Sequence, residues 1–188
     1  MRKDVFKTIK LAERMRRTIL QMSFDCGQPS HIGGALSIVD ILAVLYGGIS
    51  NFDITCRKNR FILSKGHGVL GLLSVLHHVG KISKEKISTF QKNGSEFIAH
   101  PIANHALGIE SSNGSLGQGL SYGIGIALSY LKRKNEGQVF VLMGDGECYE
   151  GSVWEASITA TETKLENITV IIDLSLIHIS EPTRPSQI

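Results

Sequence analysis

The chain has 188 residues, of which 42% are hydrophobic and 20% are charged, and it contains 20 glycines. This length and apolar content suit one domain with a sizeable core, and they argue against a disordered or fibrous protein. The net charge is only +3, and the basic residues are scattered apart from a short group at 14–17, so no nucleic-acid-binding surface is indicated.

Cysteine usage and hydropathy exclude further classes of protein. The three cysteines form no CxxC pair, which supports neither a disulfide framework nor a zinc site of standard spacing. The N-terminus keeps its charges, unlike a signal peptide, and no apolar run approaches the roughly 20 residues of a membrane span. We therefore expect a cytoplasmic protein with no membrane partner.

The first third of the chain predicts two helices and a strand. Apolar residues recur at helical spacing over residues 4–24, which indicates an amphipathic helix. A turn-rich loop at 25–34 follows, and Ser37 should then cap a second helix that runs to Tyr46. The apolar run 60–64 predicts a buried strand, after which a new helix should start.

The middle of the chain predicts a helix, a loop and a second long helix. Ser83 should open a helix that ends near Asn93 and Gly94. Residues 111–119 (SSNGSLGQG) form a glycine-rich loop that leads into an apolar helix through Leu131.

The last predicted elements define the fold class. Strands are expected at 139–143 and 168–173, with a helix at 152–164 between them. Strands that are apolar on both faces and alternate with helices predict an α/β fold with a doubly wound parallel sheet. We expect one domain over residues 1–173, truncated at its C-terminus, whose last strand presents an unpaired apolar edge that promotes association.

The segment 174–188 breaks this pattern. It contains two prolines and shows neither helical nor strand periodicity. The string LSLIHISEPTR at 174–184 resembles the translation of a transposase-type sequencing adapter read in frame. We therefore interpret 174–188 as a non-native tail; the alternative is a divergent natural C-terminus.

The string VFVLMGDGECYEG at 139–151 is the strongest local motif. Ligands of an open parallel sheet bind beyond the carboxyl ends of its strands, where Asp145 should lie between two glycines. A carboxylate there is well placed to coordinate a hard cation that bridges phosphates. Alternatively, Asp145 only caps the helix that follows.

The glycine-rich loop 111–119 offers a second phosphate contact. Its small residues allow phosphate oxygens to reach backbone N–H groups at the positive end of a helix. The spacing GxGxxxG and the absence of a clear preceding strand do not favour NAD binding.

Three histidines occur in loops at element boundaries. His31, His67 and His100 each lie near Gly or Pro, and imidazoles can bond phosphate or hydroxyl oxygens and transfer protons. Taken singly, each also fits a structural loop histidine. A zinc site of all three is possible on composition, although no spacing motif supports it.

Taken in order, four strings resemble the N-terminal half of transketolase. SHIGGALSIVDILAVLY resembles the family's GHPGG-type loop and helix, and RFILSKGHGVLGLLSVL its LSKGHA segment. GIESSNGSLGQGLSYGIGIAL resembles its TGSLGQGL loop, and VLMGDGECYEGSVWEA its cofactor motif. The resemblance spans nearly all of residues 5–173 and is closer to transketolase subunits than to deoxyxylulose-phosphate synthase or pyruvate dehydrogenase E1.

The resemblance implies the thiamine diphosphate-binding fold, in its pyrophosphate-type domain, and assigns cofactor contacts. Asp145 would bind the Mg²⁺ or Ca²⁺ that holds the diphosphate of thiamine pyrophosphate, with a backbone contact from Gly146. Gly114 and Leu116 would lie along the cofactor. Glu150 would belong to an acidic network near the dimer interface.

The resemblance also implies catalytic roles for the three histidines. His67 would reach both the diphosphate and the reacting end of the substrate. His31 and His100 would bond donor hydroxyls and stabilise developing oxyanions.

This sequence departs from the family pattern in three ways. The family's cation-binding Asn follows the strand that matches ITVIID, and Leu174 stands there. The loop reads Pro29-Ser30-His31-Ile32 where the family favours Gly-His-Pro. The family also continues well past this chain.

The implied reaction is transfer of a two-carbon ketol unit between a ketose phosphate and an aldose phosphate, as in the pentose phosphate pathway. The pyrimidine-binding domain would come from a C-terminal subunit or domain, in a dimer or heterotetramer, so this chain alone is expected to be inactive. Two alternatives are a paralogue that acts on another sugar acceptor and a non-catalytic truncated or docking subunit.

Overall fold

The structure is a computed structural model that describes residues 2–47 and 58–174. The helices are α1 (Arg2–Cys26), α2 (Ile32–Leu36), α3 (Val39–Gly47), α4 (Val69–His78), α5 (Lys84–Ile87), α6 (Gln118–Lys132) and α7 (Gly151–Glu162). The strands are β1 (Arg60–Leu63), β2 (Val139–Gly144) and β3 (Ile168–Asp173), and two 3-10 turns span Gly66–Gly68 and Gly146–Tyr149.

The three strands form one parallel sheet in the order β1-β2-β3. Arg60 pairs with Val139, which pairs in turn with Ile168. The predicted parallel sheet is therefore confirmed, with each strand within one residue of its predicted bounds. Because all three strands run the same way, their carboxyl ends lie along one edge of the sheet, where ligands of such folds bind.

Helices cover both faces of this sheet. One apolar cluster packs α1, α3 and α4 against side chains such as Phe61 and Leu142. The other packs α6 and α7 against Ile62 and Val141. A Cβ at Gly123 would lie 2.6 Å from Val141 Cγ2, so α6 rests directly on the sheet. The doubly wound arrangement follows from strands that are apolar on both faces.

The predicted helix from Ser37 to Tyr46 is wrong at its start. The chain is already helical in α2, and Ser37 lies between α2 and α3 rather than at an N-cap. Its hydroxyl donates to Asp173 Oδ2 at 2.6 Å, the nearer of two acceptors, since the Gly34 carbonyl oxygen lies 3.1 Å away. A tertiary acceptor thus takes the hydroxyl that the sequence assigns to capping.

The helix predicted from Ser83 is present but much shorter than expected. Ser83 does cap it, accepting from the Lys86 N–H at 3.3 Å. The helix ends at Ile87 instead of near Asn93, and turns follow in which Gln91 adopts a positive φ of 55°. These turns bury Phe90 and Phe97, and this packing outweighs helix propensity.

Within the described residues β3 forms an edge of the sheet. Val170 and Ile172 of β3 have side chains that are 42% and 52% exposed. These exposed apolar side chains agree with the apolar edge strand expected from the sequence. Of the helices in the described ranges, none is both long and apolar enough to cross a membrane.

Candidate functional site

A cavity of about 620 Å³ lies at the carboxyl edge of the sheet. It is lined by 30–34, Lys65, His67, His100, Leu116 and 144–147. The lining segments follow β1 or β2, form the start of α2 with the loop before it, or belong to the loop before α6. The parallel topology brings them together at one edge of the sheet. The volume falls within the roughly 300–1,000 Å³ of small-molecule sites.

Six of the predicted site residues line this cavity: His31, His67, His100, Leu116, Asp145 and Gly146. The remaining two lie elsewhere. Gly114 is exposed and borders His100, since a Cβ there would lie 3.7 Å from His100 Cδ2. Glu150 is exposed where α7 begins and is not among the lining residues.

The three histidines converge from three separate segments. The ring centroid of His31 lies 6.0 Å from that of His67 and 5.9 Å from that of His100. A Cβ at Gly34 would come 2.4 Å from His67 Cδ2, so only glycine permits this approach. Over residues 2–47 and 58–174 no group of three or more His, Cys, Asp or Glu is arranged to hold a metal ion, so the zinc alternative gains no support.

Asp145 immediately follows β2, where its side chain caps the 3-10 turn that begins at Gly146. Its Oδ1 accepts from the Gly146 N–H at 3.0 Å. Asp145 therefore caps this 3-10 turn and not α7, the helix considered from the sequence, whose N-cap is Glu150; the half-buried carboxylate of Asp145 also borders the cavity. Capping and cation binding are compatible because a carboxylate has two oxygens.

An ion pair that no sequence motif indicates joins the ends of β1 and β3. Lys65 Nζ lies 2.5 Å from Asp173 Oδ2, and the two side chains are only 2% and 9% exposed. Ser37 Oγ donates to the same oxygen at 2.6 Å. The available signal was a charged residue at the end of each of two apolar runs, because parallel strands of one sheet end at the same edge. Here the pair reaches across the end of β2, which lies between β1 and β3.

Glu147 is a second buried charged residue at the site that was not predicted from the sequence. The glutamate predicted from the same motif was Glu150. Glu147 is 1% exposed. Its Oε1 accepts from the Gly117 N–H at 2.8 Å and from the Ser64 hydroxyl, and its Oε2 accepts from the Gly144 N–H at 3.2 Å. Its position three residues after Gly144 was the one local signal for a capping carboxylate.

The turn after β2 carries negative charge. Burial raises the pKa of the Cys148 thiol, and the carboxylates of Glu147 and Asp145 raise it further. Gly33 and Gly146 leave their backbones open, because a Cβ at either would meet nothing within 4 Å. Together with the imidazoles opposite, these features fit a phosphate-bearing ligand whose charge is shared with a hard cation.

Comparison with known proteins places these features in one family. The family model described as transketolase, thiamine diphosphate binding domain, matches residues 12–186. The match continues into the segment that the sequence analysis predicts to be non-native. Residues 175–188 lie outside the described ranges, and the prediction of a non-native tail stays a prediction.

Curated relatives include both separate subunits and whole enzymes. One subunit of the apulose-4-phosphate transketolase of Actinobacillus succinogenes is 35% identical over 179 residues, which is 93% of this chain and 65% of that protein. Human transketolase is 33% identical over 177 residues, covering 91% of this chain but 28% of the enzyme. The chain thus spans less than two thirds of the bacterial relative and under a third of the human enzyme.

Solved structures agree with the fold. Transketolase from Leishmania mexicana aligns with a TM-score of 0.78 at 26% identity, covering 88% of this chain and 27% of that one. Transketolase from Campylobacter jejuni aligns with a TM-score of 0.75 at 28% identity, covering 90% and 28%.

Proposed function

Since this chain belongs to the transketolase family, as its thiamine diphosphate-binding domain, we propose that it forms the diphosphate-binding part of an enzyme that transfers a two-carbon ketol unit from a ketose phosphate to an aldose phosphate. The observation that supports this most is the single cavity that collects His31, His67, His100 and Asp145 at the carboxyl edge of the sheet. Sheets of this type bind ligands at that edge.

We assign the cofactor contacts as follows. Asp145 would bind a divalent cation, Mg²⁺ or Ca²⁺, that holds the diphosphate, and Gly146 would offer its backbone. Gly114 and Leu116 would lie along the cofactor, His67 would bond the diphosphate, and Glu150 at the start of α7 would serve an intersubunit contact. When bound, thiamine diphosphate supplies the stabilised carbanion that ketol transfer needs.

In the proposed reaction, the residues of this chain orient the sugar substrate and transfer protons. The rings of His31 and His100 have centroids 5.9 Å apart and planes tilted by 59°, so hydroxyls of a sugar in the cavity beside them can bond both rings. An imidazole N–H directed at a developing oxyanion stabilises it, and the same nitrogen can hold or release a proton near neutral pH.

We propose that a partner supplies the remainder of the site. The two apulose-4-phosphate transketolase relatives are named as single subunits of their enzymes, and whole transketolases are more than three times as long as this chain's match. The pyrimidine-binding region would come from a C-terminal subunit or domain, in a dimer or heterotetramer. The chain alone should then bind cofactor weakly and transfer no ketol unit; a docking subunit without activity is the competing reading.

A second candidate differs only in the substrate. Relatives are named for apulose-4-phosphate and for 6-deoxy-6-sulfo-D-fructose. The two apulose-4-phosphate transketolase relatives are 35% and 36% identical to this chain, against 33% for human transketolase. On this ground we propose, as the second candidate, a transketolase that acts on a less common sugar phosphate.

Calorimetric titration of the full chain with thiamine diphosphate tests the cofactor assignment. We expect saturable binding that requires Mg²⁺ and is absent for thiamine without the diphosphate. Asp145→Asn keeps the acceptor for the Gly146 N–H but removes the charge, so it should weaken binding about tenfold or more. The control Asp25→Asn alters an exposed carboxylate that bonds Gln21 and should change nothing.

The activity is tested by adding the pyrimidine-binding subunit of a split transketolase. Ketol transfer should need both chains, and a comparison of pentose phosphates with apulose-4-phosphate as donors separates the two candidates. Metal-dependent binding that persists in Asp145→Asn would contradict the cation assignment. Ketol transfer by this chain alone would contradict the need for a partner.

A further inference from the structure

Glu147 has no part in the contacts proposed above, yet it is the most connected carboxylate beside the cavity. We propose that Glu147 is a positioning residue that sets the distance between the two cofactor-binding segments, the loop that ends at Gly117 and the turn that begins at Gly144. This inference rests on the proposed function, because its consequence is the affinity for thiamine diphosphate.

The hydrogen bonds of Glu147 join three elements. Ser64 follows β1, Gly144 ends β2, and Gly117 is the N-cap of α6; each donates to the one carboxylate. In the described part of the chain Glu147 forms no ion pair with Lys, Arg or His. Burial of a carboxylate costs free energy of folding unless hydrogen-bond donors surround it. The three donors therefore stabilise the charge, and the charge in turn satisfies the three donors.

An amide cannot replace this carboxylate. Glutamine has one acceptor oxygen, whereas Gly117 N–H and Gly144 N–H approach different oxygens of Glu147. Whichever way the amide is turned, its NH₂ group faces one of these two backbone donors. The Ser64 hydroxyl can rotate to adapt, but a backbone N–H cannot, so one of the two glycines loses its partner.

The loop is held on its other side as well. Ser152 Oγ donates to the Gly117 carbonyl at 3.2 Å. Gly117 has a φ of +78°, and a Cβ there would lie 2.8 Å from Glu150 Cβ. Both peptide groups of Gly117 are thus fixed by residues 147–152, and the position of neighbouring Leu116 follows that of the turn carrying Asp145.

The test compares Glu147→Gln with Glu155→Gln, which changes an exposed glutamate on α7. Amide hydrogen exchange is followed by NMR at Gly117 and Gly144, with Val141 in β2 as the reference for the intact fold. We expect exchange at Gly117 or Gly144 to rise about tenfold or more in Glu147→Gln while Val141 is unchanged, and the dissociation constant for thiamine diphosphate with Mg²⁺ to rise about tenfold.

A second variant guards against a folding defect. Ser64→Ala removes one donor, leaves the carboxylate and both glycine contacts in place, and should weaken binding by only about threefold. The inference is overturned if Glu147→Gln leaves both glycine amides protected, or if affinity is unchanged in both variants. Failure of the wild-type chain to bind thiamine diphosphate would instead count against the proposed function, because the exchange measurement needs no cofactor.

Discussion

Replacing Lys65 with methionine should destabilise the protein strongly, because it leaves the Asp173 carboxylate buried without its cation. The two side chains are 2% and 9% exposed, with Lys65 Nζ 2.5 Å from Asp173 Oδ2. Among the described residues, Ser37 would remain as the one side-chain donor to that carboxylate. Removal of one partner from a buried pair costs about 3–5 kcal/mol. This is a large share of the roughly 5–15 kcal/mol by which domains are stable.

Urea-induced unfolding followed by circular dichroism measures this loss. The matched control is Lys58→Met, because Lys58 pairs with Glu136 at 3.4 Å with side chains 53% and 87% exposed, where pairs contribute about 0–1 kcal/mol. The double change Lys65→Met with Asp173→Leu should recover most of the stability, since it removes both charges. A loss below about 1 kcal/mol for Lys65→Met would refute the reasoning.

Two further predictions concern backbone conformation and the sheet edge. Gly117 and Gly94 share a φ of +78°, but a Cβ at Gly117 would lie 2.4 Å from Ser152 Oγ whereas none lies within 4 Å at Gly94. Gly94→Ala should therefore lower the free energy of unfolding only by the left-handed strain of about 1–2 kcal/mol, and Gly117→Ala should lower it clearly more. Equal losses of stability for the two variants in thermal unfolding would contradict this. Ile172→Lys should reduce self-association, because Ile172 is 52% exposed on the edge strand; sedimentation velocity that shows unchanged association would exclude that edge as the cause.

The sequence was sufficient for the elements whose signal is local. Each strand is a short apolar run between turn residues, and each appears within one residue of its predicted bounds. The long helices α1 and α6 follow from apolar periodicity in the same way. Ser37 was misjudged because its acceptor, Asp173, lies 136 residues further along the chain, and no local pattern reveals such a partner.

The residues of the cavity also divide into those that the sequence indicates and those that it does not. Resemblance to transketolase selected six of its lining residues, and the physical basis of their convergence is that parallel strands place their following loops at one edge. Lys65 and Glu147 also border the cavity, but their charged groups are buried and bonded within the protein, and no motif indicated them. Burial of a charged side chain is a tertiary property, whereas the sequence shows only its presence beside a glycine.

The buried charges explain how a site made of loops can keep its shape. Lys65 with Asp173 ties the end of β1 to the end of β3, and Glu147 ties Ser64 and Gly144 to the start of α6. All three strand ends are therefore held by buried charged groups whose ion-pair or hydrogen-bond partners lie within the protein. The imidazoles and Asp145 line the cavity beside these strand ends. Because the strand ends are held in place beforehand, we expect a diphosphate with its cation to bind at the proposed site without first ordering this wall.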